Sequence, residues 1–416
     1  MKQKFIRTIL GPILKDEIVS SKIKNNSFNY ISSLPFEHII QNLCSYLNKD
    51  NNIDSKNTIT LSNLTEIMLK PFSIYQNLYL DSDVALLSNE LNCLKKYNTS
   101  LICEVTSNKN GKNLSILKEI SKLTKINICF GLNLDYENLS NIDLKKLSNE
   151  IKYNIIYGKD DDILTIPSFL GEEIFDKNLD ENEQKLYKMI CSDIINKYQI
   201  PLYIKLINEM KNPEKNQIIN FFNNEVNLTN KKKIIFCIGL SDNDLIHNEN
   251  NLFILIKNIL NSGFSLNLNI YECDVTKQNE KIDNYYNPKK VAFINKIILL
   301  DNKKFIEQIL LSNNINFKIN LKQFGSFGYE NIFINYFPEI LNNLNENEIK
   351  KILYENLFNL LEYWTELEKI QKDVKKIKCE NCGIEKDEDD KDLFSKFDKI
   401  FCSFKCLKEY IKKNPQ

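Results

Sequence analysis

Up to residue 364 the chain alternates short apolar runs with longer stretches of helical spacing. Runs at 101–107, 126–131, 162–172, 200–206, 233–240, 265–271 and 308–312 have the length and apolar content of buried parallel strands. SLNLNIY at 265–271 alternates apolar residues with Asn, which suits a half-buried strand. The stretch 151–158 fits a strand or a buried helix end equally well by periodicity. Asp180 and Glu183 form a capping-box start, and Leu186, Met189, Ile190 and Ile194 share one face, predicting a helix that stops near Tyr198. With an opening strand ahead of these runs, the alternation predicts an α/β fold, a closed (β/α)8 TIM barrel. The working residues of such a barrel sit at the C-terminal ends of its strands. The last run delivers Ser312, Asn313 and Asn314 there, none of which ionises near neutral pH, and a loop closed by Gly325 and Gly328 follows.

Length and composition add bounds to this picture. A chain of 416 residues with 43% hydrophobic content buries a large core and has room for one barrel plus a small appendage. Lys+Arg and Asp+Glu are both 55, so no global field steers the chain to nucleic acid or an anionic membrane. No apolar run approaches the roughly 18 residues of a membrane span, and no signal peptide is evident, so a cytoplasmic location is expected. The abundance of Asn, Ile and Lys reads as coding bias.

The cysteines change the picture near the end of the chain. Cys44, Cys93, Cys103, Cys129, Cys191, Cys237 and Cys273 are scattered and read as reduced packing thiols. Cys379, Cys382, Cys402 and Cys406 are different: C-x2-C, nineteen residues, then C-x3-C. Each pair spans one tight turn, so four thiolates converge on one Zn2+. Leu407, Tyr410 and Ile411 are expected to pack one helical face onto that knuckle. So small a unit draws most of its folding free energy from the metal. The predicted organisation is a barrel over 1–364, a charge-rich linker or helical extension over 365–378, and a four-cysteine zinc finger over 379–416.

Several framework motifs carry a resemblance. Leu10-Gly11-Pro12-Ile13, the segment NLTEIMLKPFSIYQNLYLDSD, LICEVTS, Gly171-Glu172, and the loop Phe324-Gly325-Ser326-Phe327-Gly328-Tyr329 together resemble the phosphotriesterase-related proteins, binuclear-metal hydrolases of the amidohydrolase superfamily. The C-terminal pattern is similar to treble-clef-like fingers of the TRASH and YHS type. The first resemblance implies two metals held by a His-x-His pair, a bridging acid, two further His and an Asp. Counting on from Gly11-Pro12 puts the His-x-His positions at Lys24 and Asn26. Glu172 matches the bridging acid, Lys205 the strand-five His, Ile238 or Gly239 the strand-six His, and Asn314 the Asp. His38 reads as a surface or packing residue.

Only Glu172 of that set is a metal ligand by type. The expectation is a pseudoenzyme: a phosphotriesterase-related barrel without its binuclear site, acting as a non-catalytic binding or scaffold protein with one structural zinc. Lys24 and Lys205 beside Glu172 leave one ammonium in excess, which suits a small anionic ligand in the barrel mouth. The alternative is a divergent metal-dependent hydrolase of ester, phosphoester or amide bonds, holding one metal through Glu172 with Glu104 or Asp274. Through the finger a protein partner is expected; its acidic residues between Glu385 and Asp392 oppose nucleic acid.

Overall fold

The computed structural model describes residues 4–20, 28–46, 58–80, 83–134, 143–158, 165–207, 210–271, 286–364, 376–387, 394–396 and 399–414. It divides into two compact units, one over 4–363 and one from residue 364 onward. Among the described residues no helix is long and apolar enough to cross a membrane.

The larger unit is a TIM barrel of parallel strands: β1 (Ser32–Glu37), β2 (Thr99–Glu104), β3 (Asn127–Leu132), β4 (Phe169–Phe175), β5 (Leu202–Leu206), β6 (Ile234–Gly239), β7 (Ser265–Asn269) and β8 (Ile309–Ser312). Each pairs with its successor in the chain. Helices fill the spacers, including α1 (Val84–Asn92), α2 (Leu114–Thr124), α3 (Leu144–Tyr157), α4 (Glu181–Ile190), α5 (Asn212–Asn220), α6 (Glu249–Asn261) and α7 (Pro288–Ile298). The ambiguous stretch 151–158 is therefore a helix end. Asp180 and Glu183 do form a capping box on α4, which runs on through a π turn at Cys191–Ile195 to Tyr198.

Both faces of the sheet are buried, as a parallel barrel requires. Outward, Phe236 meets Phe222 and Phe264, with ring centroids 6.2 and 5.3 Å away. Inward, Tyr203 packs on Phe36 and Phe169. Gly131 lets β3 and β4 approach closely, since a Cβ there would lie 2.1 Å from the Gly171 carbonyl oxygen.

Two strands lie elsewhere than the sequence predicts. The first is β1, which begins at Ser32, beyond Lys24 and Asn26; those two lie outside the described residues. A helix at Lys15–Ser20 follows the N-terminal hairpin (Lys4–Thr8 with Gly11–Leu14), so a count from Gly11-Pro12 falls short. The second is β4, which starts at Phe169 rather than 162, because Pro167 has no N–H for a ladder and the first bond to β3 is Ser168 N–H to the Phe130 carbonyl, 2.9 Å.

The circle closes between β8 and β1, where the Glu37 carboxylate accepts from the backbone N–H groups of Asn313 (2.8 Å), Asn314 (3.1 Å) and Ile315 (3.4 Å). The loop after β8 is anchored in the same region. Glu90 on α1 accepts from the Lys322 and Gln323 N–H groups, and Gly328, in the left-handed region, leaves room for it: a Cβ would lie 2.5 Å from Glu90 Oε2. Tyr329 then donates to the His38 carbonyl at 2.6 Å.

In the second unit, Lys376–Lys378 pairs with Glu385–Asp387 and Phe394–Lys396 with Lys399–Phe401, both antiparallel, ahead of helix α8 (Phe404–Lys413). Residues 376–378 are thus strand, not linker or helix; 365–375 lie outside the described residues.

Candidate functional site

At the C-terminal ends of β1, β4, β5 and β8, three buried side chains with complementary chemistry converge. Lys205 Nζ lies 3.5 Å from Glu172 Oε1, and His38 Nε2 lies 3.9 Å from Glu172 Oε2. Side-chain exposure is 7% for Lys205, 4% for Glu172 and 1% for His38, so each is inside the protein. Asn314, with φ of +61°, contributes the wall beside the imidazole and donates to the Tyr271 carbonyl at 3.2 Å.

His38 was not legible as a site residue from spacing, and it is central here. Its Nδ1 lies 2.9 Å from Thr106 Oγ1, whose hydroxyl also bonds the Glu104 carboxylate. That chain fixes the ring so that Nε2 faces Glu172, with Asn314 beside it. The strand end that resembles His-x-His is therefore Phe36-Glu37-His38. The segment "LPFEHI" held the signal, a lone His at the end of an apolar run with Phe36 two residues before it.

Burial sets the protonation of these groups. It lowers His38 to about 3, helped by the charge of Lys205 and opposed by Asn314, so the imidazole is neutral. It raises Glu172, against the pull of Lys205, and raises Glu104, against the Thr106 hydroxyl and the Lys112 charge. Glu37 is pushed up to about 8 by burial, while the N–H groups of Asn313, Ile315 and Asn314 pull down.

The donor set does not fit a binuclear metal centre. Around the mouth stand one imidazole, one carboxylate, the amide of Asn314, the ring of Phe36 and the ammonium of Lys205, and β6 ends in Gly239 with no side chain to offer. An ammonium inside a dication site is repulsive, and Phe and Gly offer no lone pair. Among the described residues the four finger cysteines alone bring three or more metal-binding groups together. Glu104 is turned to Thr106 and the Ile39 N–H, and Asp274 lies outside the described residues.

The cysteine cluster does fit a metal. All four sulfurs lie within 4.8 Å of one another, with Cys382–Cys402 and Cys402–Cys406 at 3.4 Å. Sulfurs about 2.3 Å from a tetrahedral ion stand about 3.8 Å apart, a spacing these distances bracket. Gly383, at φ +74°, closes the knuckle turn with its N–H on the Cys379 carbonyl. Burial pushes the Cys379 thiol up, but the N–H groups of Cys402, Cys382 and Asn381 outweigh it and hold it at about 6, favouring thiolate. The neighbouring thiols Cys382 and Cys406 push Cys402 up to about 12. Leu407 is buried in the finger core and Tyr410 packs against it, whereas Ile411 is 41% exposed, because α8 turns that position outward.

The profile of the phosphotriesterase family matches residues 34–361. The chain belongs to the phosphotriesterase family. The N-acetyltaurine hydrolase of Danio rerio is 21% identical over 305 residues, 72% of this chain and 83% of that one. Among solved structures, a resiniferatoxin-binding protein from Rhodobacter sphaeroides shares the fold with a TM-score of 0.67 at 17% identity, over 86% of this chain and 94% of that one. A lactonase from Listeria monocytogenes superposes with a TM-score of 0.56 at 16% identity, over 86% and 98%. The structural likenesses show the fold and the profile match shows the family; the residues in the mouth set the chemistry.

Proposed function

We propose that this phosphotriesterase-family barrel binds rather than hydrolyses, and that a protein cation has taken the place of the family's metals. The observation that carries this reading is Lys205 Nζ at 3.5 Å from Glu172 Oε1, inside the mouth. A buried carboxylate needs a positive partner, and Lys205 supplies one without a metal. The finger then holds one structural zinc through Cys379, Cys382, Cys402 and Cys406 and serves as a docking unit for a protein partner. Reduced buried thiols at Cys103, Cys129, Cys191 and Cys237 favour a reducing, cytoplasmic setting.

A small anion is the ligand expected from the sequence. Glu172 already answers the charge of Lys205, so the extra positive charge would have to come from Lys24, outside the described residues. Calorimetric titration with phosphate decides: heat of binding that is lost in Lys205→Ala supports the anion, and no heat removes it.

The hydrolase of the N-acetyltaurine relative is the competing reading. Metal content should be measured on the full chain and on the Cys379→Ser/Cys382→Ser double variant, beside ester, lactone and amide hydrolysis. One zinc per chain falling to none, with no hydrolysis, is the expected result. Metal retained by the double variant, or hydrolysis lost in Glu172→Gln, overturns the binding reading.

A further inference from the structure

The groove between α4 and α5 holds a cleft of about 340 Å³ that shares no lining residue with the mouth. Its floor is apolar: Leu179, Ile218 and Phe221, the last two only 2% and 5% exposed. Its walls are uncharged amides. The side chains of Asn178, Gln217 and Asn220 are exposed and make no hydrogen bond among the described residues. Gln184 uses only its Nε2, on the Leu179 carbonyl at 3.0 Å, and Asn224 only its Oδ1, which accepts from Asn223 at 3.0 Å. Each of those two therefore keeps the other half of its amide for a ligand. The one acid of the lining, Glu225, is answered by Lys188 at 2.8 Å, so the cleft carries no net charge.

We propose that this cleft binds a neutral sugar, a mono- or disaccharide. Its volume lies at the low end of the roughly 300–1,000 Å³ of small-molecule sites, so it takes a compact ligand and not a folded partner. An amide carries a donor and an acceptor on one side chain and so matches a hydroxyl, which is both. A pyranose has hydroxyls around its edge and C–H bonds on its faces. Amide walls over an apolar floor meet both kinds of surface at once. An inorganic ion finds no unanswered charge here, and a wholly apolar ligand would strip water from the amides and return no hydrogen bond.

The backbone supports this arrangement. At its C-terminal end α5 runs on into a π turn at Phe221–Glu225, and the extra residue of such a turn brings Phe221, Asn224 and Glu225 to one cleft. The Lys188 ammonium that answers Glu225 also lies 5.5 Å over the Phe221 ring, which keeps that ring at the floor. The site stands whether or not the mouth holds a metal.

Saturation-transfer NMR on the full chain tests it, with glucose, galactose, mannose and maltose as probes. At least one should receive saturation at its ring C–H protons, and its affinity should fall about tenfold in Gln217→Ala/Asn220→Ala, as the loss of two neutral hydrogen bonds predicts. Both positions are exposed, so the denaturant midpoint should not move and the fold is not in question. Lys205→Ala should leave the transfer unchanged. No transfer to any of the four sugars overturns the proposal, as does transfer that survives the double variant. Transfer lost in Lys205→Ala places the sugar in the mouth instead. Glucose 6-phosphate binding more tightly than glucose shows a site that reads charge, and equally overturns it.

Discussion

At the end of β1, Glu37 and His38 are neighbours whose protonation shifts in opposite directions. His38 is lowered from 6.5 to about 3, so its stabilisation is present above pH 6.5 and is lost as pH falls towards 3. Glu37 is raised from 4.5 to about 8, so its stabilisation is present below pH 4.5 and is lost as pH rises through 8. Between 4.5 and 6.5 the two slopes oppose each other. Denaturant midpoints should therefore fall as pH drops from 4.5 to 3 and as it rises from 6.5 to 8, on the order of a few kcal/mol, with Glu104 and Glu172 tilting the window between. Glu37→Gln should flatten the alkaline limb without abolishing it, since burial raises Glu104 and Glu172 in the same direction. A wild-type midpoint that does not fall between pH 6.5 and 8 rules out a protonated Glu37. None of this was visible in the sequence, because the shifts come from burial by groups distant in the chain.

The strands were legible where apolar runs are bounded by polar residues, as at β5 and β7, and less so where a helix or Pro167 intervenes. What the sequence could not give is the contact between strands. At the seam, Glu37→Ala would leave the N–H groups of Asn313, Asn314 and Ile315 buried without acceptors, at roughly 1–3 kcal/mol each. Hydrogen exchange should show those three amides losing protection first, with the β5 and β6 amides unchanged; uniform loss would mean that Glu37 does not hold the seam. Between β3 and β4, Gly131→Ala would force a Cβ to 2.1 Å from the Gly171 oxygen, which is backbone and does not yield. The expected cost is about 3 kcal/mol or more, read from the denaturant midpoint. A change under about 0.5 kcal/mol, the range of ordinary surface substitutions, would show that the two strands separate readily.

At the scale of the molecule, the barrel and the finger draw stability from different sources. The barrel buries a continuous apolar core that runs through all eight strands, Phe36 on β1 included. The finger's buried cluster is Cys379, Phe401, Cys402 and Leu407, half of it metal-ligand type, so four spaced cysteines sufficed to read it from sequence. So small a core does not offset the chain entropy of ordering the unit, whereas a structural zinc supplies roughly 10–16 kcal/mol. Chelation of the full-length protein should therefore melt the finger alone. Amides bonded within it, such as Leu407 to the Ser403 carbonyl and Glu380 to the Ile400 carbonyl, should exchange rapidly, while those of β2 to β6 keep their protection. Cobalt in place of zinc should give the visible absorption of a tetrahedral thiolate site, abolished in Cys402→Ser. Finger amides that stay protected in metal-free protein would show that Phe401 and Leu407 suffice. Barrel amides that exchange with them would show that a metal also supports the barrel, and the ion pair of Lys205 and Glu172 would need another explanation.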